Sequence, residues 1–121
     1  MKKNLLALII LAALTLSFAG CGSVGQLVAL DEGVKKSVTY NELHDTRLPD
    51  GRMEVAARLR NRENRRIQVQ VNCQFKDDNG LTLDATPFEN VILTENSEEV
   101  VKFTSMNDKP TRYTIRVREA R

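Results

Sequence analysis

Ile67-Gln68-Val69-Gln70-Val71-Asn72-Cys73-Gln74-Phe75 alternates apolar and polar residues without a fault over nine positions. Period two is the signature of a strand with one buried face. It puts Ile67, Val69, Val71, Cys73 and Phe75 inward and leaves the amides to water. The segment before it alternates in the same way: Met53, Val55, Ala57 and Leu59 inward, Glu54, Arg58 and Arg60 outward. The polar link Asn61-Arg62-Glu63-Asn64-Arg65-Arg66 suits a loop between two strands. On the other side, Asp77-Asp78-Asn79-Gly80 holds Asn-Gly, a strong turn signal, and Leu81 and Leu83 open a short strand that ends near Pro87.

Further strands are expected at 88–94 and 99–104, with Glu95-Asn96-Ser97-Glu98 as the turn. The final strand has Tyr113, Ile115 and Val117 inward and Arg112, Thr114, Arg116 and Arg118 outward. With a first strand near Ser37 to Asn41, the pattern predicts an all-β, immunoglobulin-like β-sandwich of about seven short strands over residues 37–121. No stretch after the N-terminal leader has a helical period. Trp is absent, so the core is expected to be aliphatic. Cys73 falls on the buried face of its strand and is expected to be a core side chain rather than a reactive thiol.

The N-terminus carries a different signal. Lys2 and Lys3 precede an apolar run from Leu5 to Ala19, which ends in Leu16-Ser17-Phe18-Ala19-Gly20-Cys21. A run of about 15 residues falls short of the ~20 that a spanning helix needs. A basic start, an apolar middle and small residues at a cleavage site read as an export signal, and a cysteine directly after them as a lipobox. Residues 1–20 are expected to be cleaved, with Cys21 as the lipidated first residue of the mature chain. Two or more acyl chains on one cysteine give stable anchoring. Gly22, where an Asp would retain the protein at the inner membrane, points to the outer membrane, facing the periplasm. Residues 21–36 read as a lipidated tether, spanning roughly 20 Å as a flexible chain.

Charge and chemistry narrow the function. The formal net charge of +2 belongs to the leader: the 18 Lys and Arg include Lys2 and Lys3, and the rest balance the 16 Asp and Glu. A neutral exported chain gives no reason to expect a nucleic-acid partner. The single histidine, His44, reads as a solvated loop residue and cannot make a transition-metal site alone. Ser37, Ser97 and Ser105 sit in no Gly-x-Ser-x-Gly elbow. No Gly-rich phosphate loop is present, and Asp77 to Gly80 lacks the downstream Glu of a calcium loop. No catalytic residue, cofactor or metal is therefore expected. The remaining functional candidates are Arg58, Arg60, Arg116 and Arg118. If their two strands share a sheet, these residues make one basic face suited to carboxylate or phosphate groups. The alternative is a solvated face with weak cross-strand ion pairs.

Val55-Ala56-Ala57-Arg58-Leu59-Arg60-Asn61, followed by Ile67 to Gly80, resembles the YcfL-type periplasmic lipoproteins, a family of unknown function. Their pattern is a strand ending in Asn, a polar loop, an alternating strand and an aromatic-x-Asp-x-x-Gly turn, here Phe75-Lys76-Asp77-Asp78-Asn79-Gly80. The resemblance covers most of residues 50–118 and includes the basic last strand. Where the family carries Trp near the Asp-Gly turn and before the next strand, this chain has Lys76 and Phe88. The resemblance implies a periplasm-facing β-sandwich without catalytic residues. It fits an accessory module whose partner is an envelope protein or peptidoglycan, or a direct binder of a peptidoglycan peptide or lipid headgroup.

Overall fold

A computed structural model describes residues 24–120, so the leader and Cys21 lie outside the described residues. The chain forms β1 (Val24–Ala29), α1 (Glu32–Ser37), β2 (Val38–Arg47), β3 (Met53–Asn61), β4 (Ile67–Lys76), β5 (Thr82–Ala85), β6 (Glu89–Leu93), β7 (Glu98–Thr104) and β8 (Arg112–Glu119). One sheet runs β1-β8-β4-β5, with β6 also on β4; the other runs β2-β3-β7. The inner faces of the two sheets supply the core. Val69, Val71, Cys73, Phe75, Ile115 and Val117 of the first meet Met53, Val55, Leu59 and Phe103 of the second, all buried. The all-β sandwich read from the alternation is the fold observed, and the inward residues of β3, β4 and β8 are those expected.

The N-terminal segment differs from the sequence reading. Residues 24–29, expected in the tether, form a strand that pairs in parallel with β8, from Val24 opposite Arg112 to Ala29 opposite Val117. Leu27 and Ala29 pack against the core. Parallel edge pairing needs no neighbouring hairpin, so no local turn announces it. Its inward row is Gly25, Leu27 and Ala29, too small to stand out as a period. The glycine has a function: a Cβ there would lie 2.2 Å from the Tyr113 ring, so only a bare backbone lets that ring lie across the edge strand. The short helix α1 follows. Asp31 caps it, one carboxylate oxygen accepting from Val34 N at 2.9 Å and the other from Glu119 N at 2.8 Å. Glu32 in the first turn and Lys35 and Lys36 in the last complement the helix dipole. The part of the expected tether that this strand and helix leave, residues 21–23, lies outside the described residues.

β2 runs further than the sequence suggested and takes in His44, which is exposed on the strand opposite Ala56 rather than in a loop. Its register slips between Tyr40 and Leu43. A bulge breaks alternation locally, which explains why only the first residues of the strand were legible.

At one end, Asn61 is fully buried and binds the links together. Its side-chain amide donates to the carbonyls of Arg65 (2.8 Å), Leu93 (3.1 Å) and Thr94 (3.0 Å), and its Oδ1 accepts from Glu63 N at 2.8 Å. At the other end, Arg47 donates to the carbonyls of Gly51, Asp108 and Pro110, joining the β2–β3 and β7–β8 connections.

Burial, and secondarily the charge of Asp84, push the Cys73 thiol from 9.0 up to about 12. Burial, and then the charges of Asp45 and Cys73, push the Tyr113 phenol from 10.0 up to about 12. The folded chain therefore holds these protons to higher pH than the unfolded chain does. Both groups leave stability unchanged below their unfolded values and lower it as pH rises between those values and about 12. The thermal midpoint is expected to fall above about pH 9, less steeply in Cys73→Ala. Native Cys73 is expected to react slowly with a thiol reagent at neutral pH, and fast labelling would contradict its core position.

Candidate functional site

The four arginines singled out in the sequence do not share a surface. β3 lies in the three-stranded sheet and β8 in the other, so Arg58 and Arg60 face away from Arg116 and Arg118. The single basic face was conditional on the two strands sharing a sheet, and this strand order removes that condition. Alternation tells which side of a strand is wet but not which strand lies beside it.

Arg58 and Arg60 flank Glu98 on β7, at 3.7 Å and 3.3 Å. Glu98 also accepts from the Asn41 side chain at 3.2 Å. These pairs are half-exposed, and such pairs contribute at most about 1 kcal/mol. Glu54 and Lys102 share this outer face, which is mixed in charge and paired within itself.

The outer face of the five-stranded sheet is different. The β4–β8 register places Gln70, Asn72, Gln74 and Lys76 beside Arg118, Arg116, Thr114 and Arg112. The one carboxylate on these two strands, Glu119 at the end of β8, is exposed but falls in the row that alternates with Arg116 and Arg118. Arg116 donates through Nε to Asn72 Oδ1 at 3.0 Å, and Arg118 donates through Nε to Gln70 Oε1 at 2.8 Å. Both guanidinium groups lie over the Phe88 ring, Arg118 at 3.6 Å and Arg116 at 5.2 Å from its centre. Among the described residues neither has a carboxylate within ion-pair distance, whereas Arg58 and Arg60 both do.

A bulge places the aromatic platform. β5 and β6 run along one edge of β4, and Thr86-Pro87-Phe88 spans the break between them opposite Asn72 and Cys73. Pro87 cannot donate to a ladder, so a bulge suits it. The polar groups freed there are satisfied locally: Thr86 Oγ1 accepts from Cys73 N at 3.0 Å, and Asn72 Nδ2 donates to Thr86 O at 3.1 Å. Asn72, only 2% exposed, thus joins the bulge to Arg116. Sequence reasoning missed Phe88, Asn72 and Gln70 as parts of this cluster. Pro87, between the short strand from Leu81 and the one expected at 88–94, was the available signal for a break there.

The cluster holds two guanidinium groups flat on an aromatic ring. Each is oriented by an uncharged amide, and the hydrogen bonds they make engage Nε alone. Such forks suit bidentate contact with carboxylate or phosphate oxygens. Beside Arg118 is a shallow depression lined also by Leu30, Asp31, Gln70 and Glu119. Among the described residues no group of three His, Cys, Asp or Glu side chains converges to hold a metal, and no helix is long and apolar enough to cross a membrane.

No protein-family model matches the chain, and no curated protein matches it. Solved structures do. The Campylobacter jejuni protein cj0090 superposes with a TM-score of 0.65 at 10% identity, over 78% of this chain and 97% of its own. A DUF1425 family member from Shewanella sp. pv-4 superposes with a TM-score of 0.63 at 19% identity, over 69% of this chain and 79% of its own. At these identities the likeness carries the fold alone: the chain shares its β-sandwich with these two proteins.

Proposed function

We propose that this chain is a non-enzymatic interaction module of the bacterial cell envelope, of the YcfL type, anchored by acyl chains on Cys21 and facing the periplasm from the outer membrane. The lipobox before Cys21 supports the anchor, and the structural likeness to a DUF1425 family member is compatible with an accessory module. The outer face of the five-stranded sheet is its binding surface. The observation that carries this is the Phe88 platform, with two arginines oriented by amides and no carboxylate paired to them. The partner is an envelope protein that presents an acidic group there.

A second reading follows from the same cluster: direct capture of the carboxylates of peptidoglycan peptides. Charge-assisted hydrogen bonds contribute about 1.5–3 kcal/mol each, so Arg116→Glu with Arg118→Glu is expected to weaken retention on peptidoglycan at least about tenfold. Arg58→Gln with Arg60→Gln is expected to leave retention unchanged. Equal retention of all variants would exclude direct capture. A photo-reactive residue at position 118 in living cells tests the leading reading. One dominant envelope protein in the crosslinked product supports it, and no specific protein counts against it.

A further inference from the structure

We infer that the end of the sandwich where β1 begins is a lipid-contact surface, seating Leu81 and Met106 in the interface of the membrane that holds Cys21. The inference rests on the proposed acylation of Cys21. Its structural part is the direction of β1. Val24 pairs with Arg112, the first residue of β8, which in turn pairs with Lys76, the last residue of β4. The connections 48–52, 77–81 and 105–111 therefore cluster at the end where the chain enters from its anchor. Only Gly22 and Ser23 separate Cys21 from Val24. Fully extended, that stretch spans about 10 Å, so this end cannot withdraw far from the lipid.

Two of these connections carry the most exposed large apolar side chains of the described chain, Met106 at 80% and Leu81 at 65%. They are held in place. Asp77 Oδ1 accepts from Asn79 N and Leu81 N, both at 2.9 Å, and Gly80 takes the positive φ of 83° that the turn needs. Met106 N donates to Asp84 Oδ2 at 3.1 Å, and Thr111 Oγ1 donates to Asp78 Oδ1 at 2.6 Å, so the two connections are tied to each other. Ordered, exposed apolar tips on separate loops at the anchored end fit an apolar interface better than water. Lys109 and Arg112 are exposed at this end and suit the phosphate layer above it, beside the exposed carboxylates of Asp50 and Asp108.

The orientation also bears on the arginine cluster. From Arg112 to Arg118 the strand rises about 20 Å. The Phe88 platform then faces sideways, well above the lipid, and its anionic ligand belongs to a partner across the periplasmic space rather than to headgroups of the anchoring leaflet.

The chain has no Trp, so Leu81→Trp, Met106→Trp and, at the opposite end, Glu95→Trp each carry a single reporter. The acylated full mature chain would be reconstituted in phosphatidylethanolamine and phosphatidylglycerol vesicles containing brominated lipid. Blue-shifted and quenched emission from positions 81 and 106, with position 95 unaffected, is the expected result. No quenching at 81 and 106, or equal quenching at 95, overturns the inference while the acyl mass by mass spectrometry leaves the anchor standing. Absence of that acyl mass overturns both.

Discussion

Replacing Phe75 by Ala is expected to lower the free energy of unfolding by about 3–5 kcal/mol. Phe75 is fully buried and the bulkiest of the fully buried side chains. It sits where β4 pairs on one edge with β8, opposite Tyr113, and on the other with β5, opposite Asp84. The rest of its sheet's core is Val, Ile, Leu, a thiol and the Tyr113 ring, with no Trp in the chain to take over the volume. Removing the ring leaves a cavity between strands that hydrogen bonds hold at fixed spacing, so the site cannot collapse. Domains of this size are stable by about 5–15 kcal/mol in total. The urea midpoint should fall sharply with little change in slope. Phe75→Leu, which keeps most of the apolar volume, should cost less than about 1.5 kcal/mol. A loss below about 1 kcal/mol for the alanine variant would mean that the core does not centre on this crossing.

The second large effect is expected at Asn61. Asn61→Leu keeps the branched shape but is larger, so its cost adds some overpacking to the loss of the polar groups. It removes the donor to three carbonyls and the acceptor for Glu63 N. Of these acceptors, the hydrogen bond to Leu93 O is buried. A buried polar group left without a partner costs about 1–3 kcal/mol, so a loss of about 3 kcal/mol is expected from denaturant titration. Asn61→Asp should cost at least as much, because it turns a donor into an acceptor that faces carbonyl oxygens. A neutral Asn61→Leu would show that the connections between β3 and β4 and between β6 and β7 are held by other contacts.

The parts of this fold legible in the sequence are those in which information is local. The inward rows of β3, β4 and β8 follow from alternation, because each strand has one fully covered face. β1 was illegible because its inward row is Gly25, Leu27 and Ala29 and its partner lies at the far end of the chain. The split of the arginines was illegible for a related reason: alternation fixes a side chain's face, and only strand order fixes which faces coincide. Of the candidate site, Arg116 and Arg118 were readable as outward cations. The ring beneath them was not, since it depends on one extra residue in the bulge at Thr86-Pro87-Phe88.

Parallel pairing of β1 with β8 has a mechanical consequence. Val24 enters at one end of the sheet, while β8 leaves at the other, and the strands lie side by side over six paired positions. Tension between an anchor ahead of Val24 and a load on the outer face of β8 would run along the strand axes. The hydrogen bonds joining the two strands would then share the force in shear instead of opening one after another as in a peeled hairpin. Joined in this way to the proposed anchor, the domain would resist being pulled apart by that attachment.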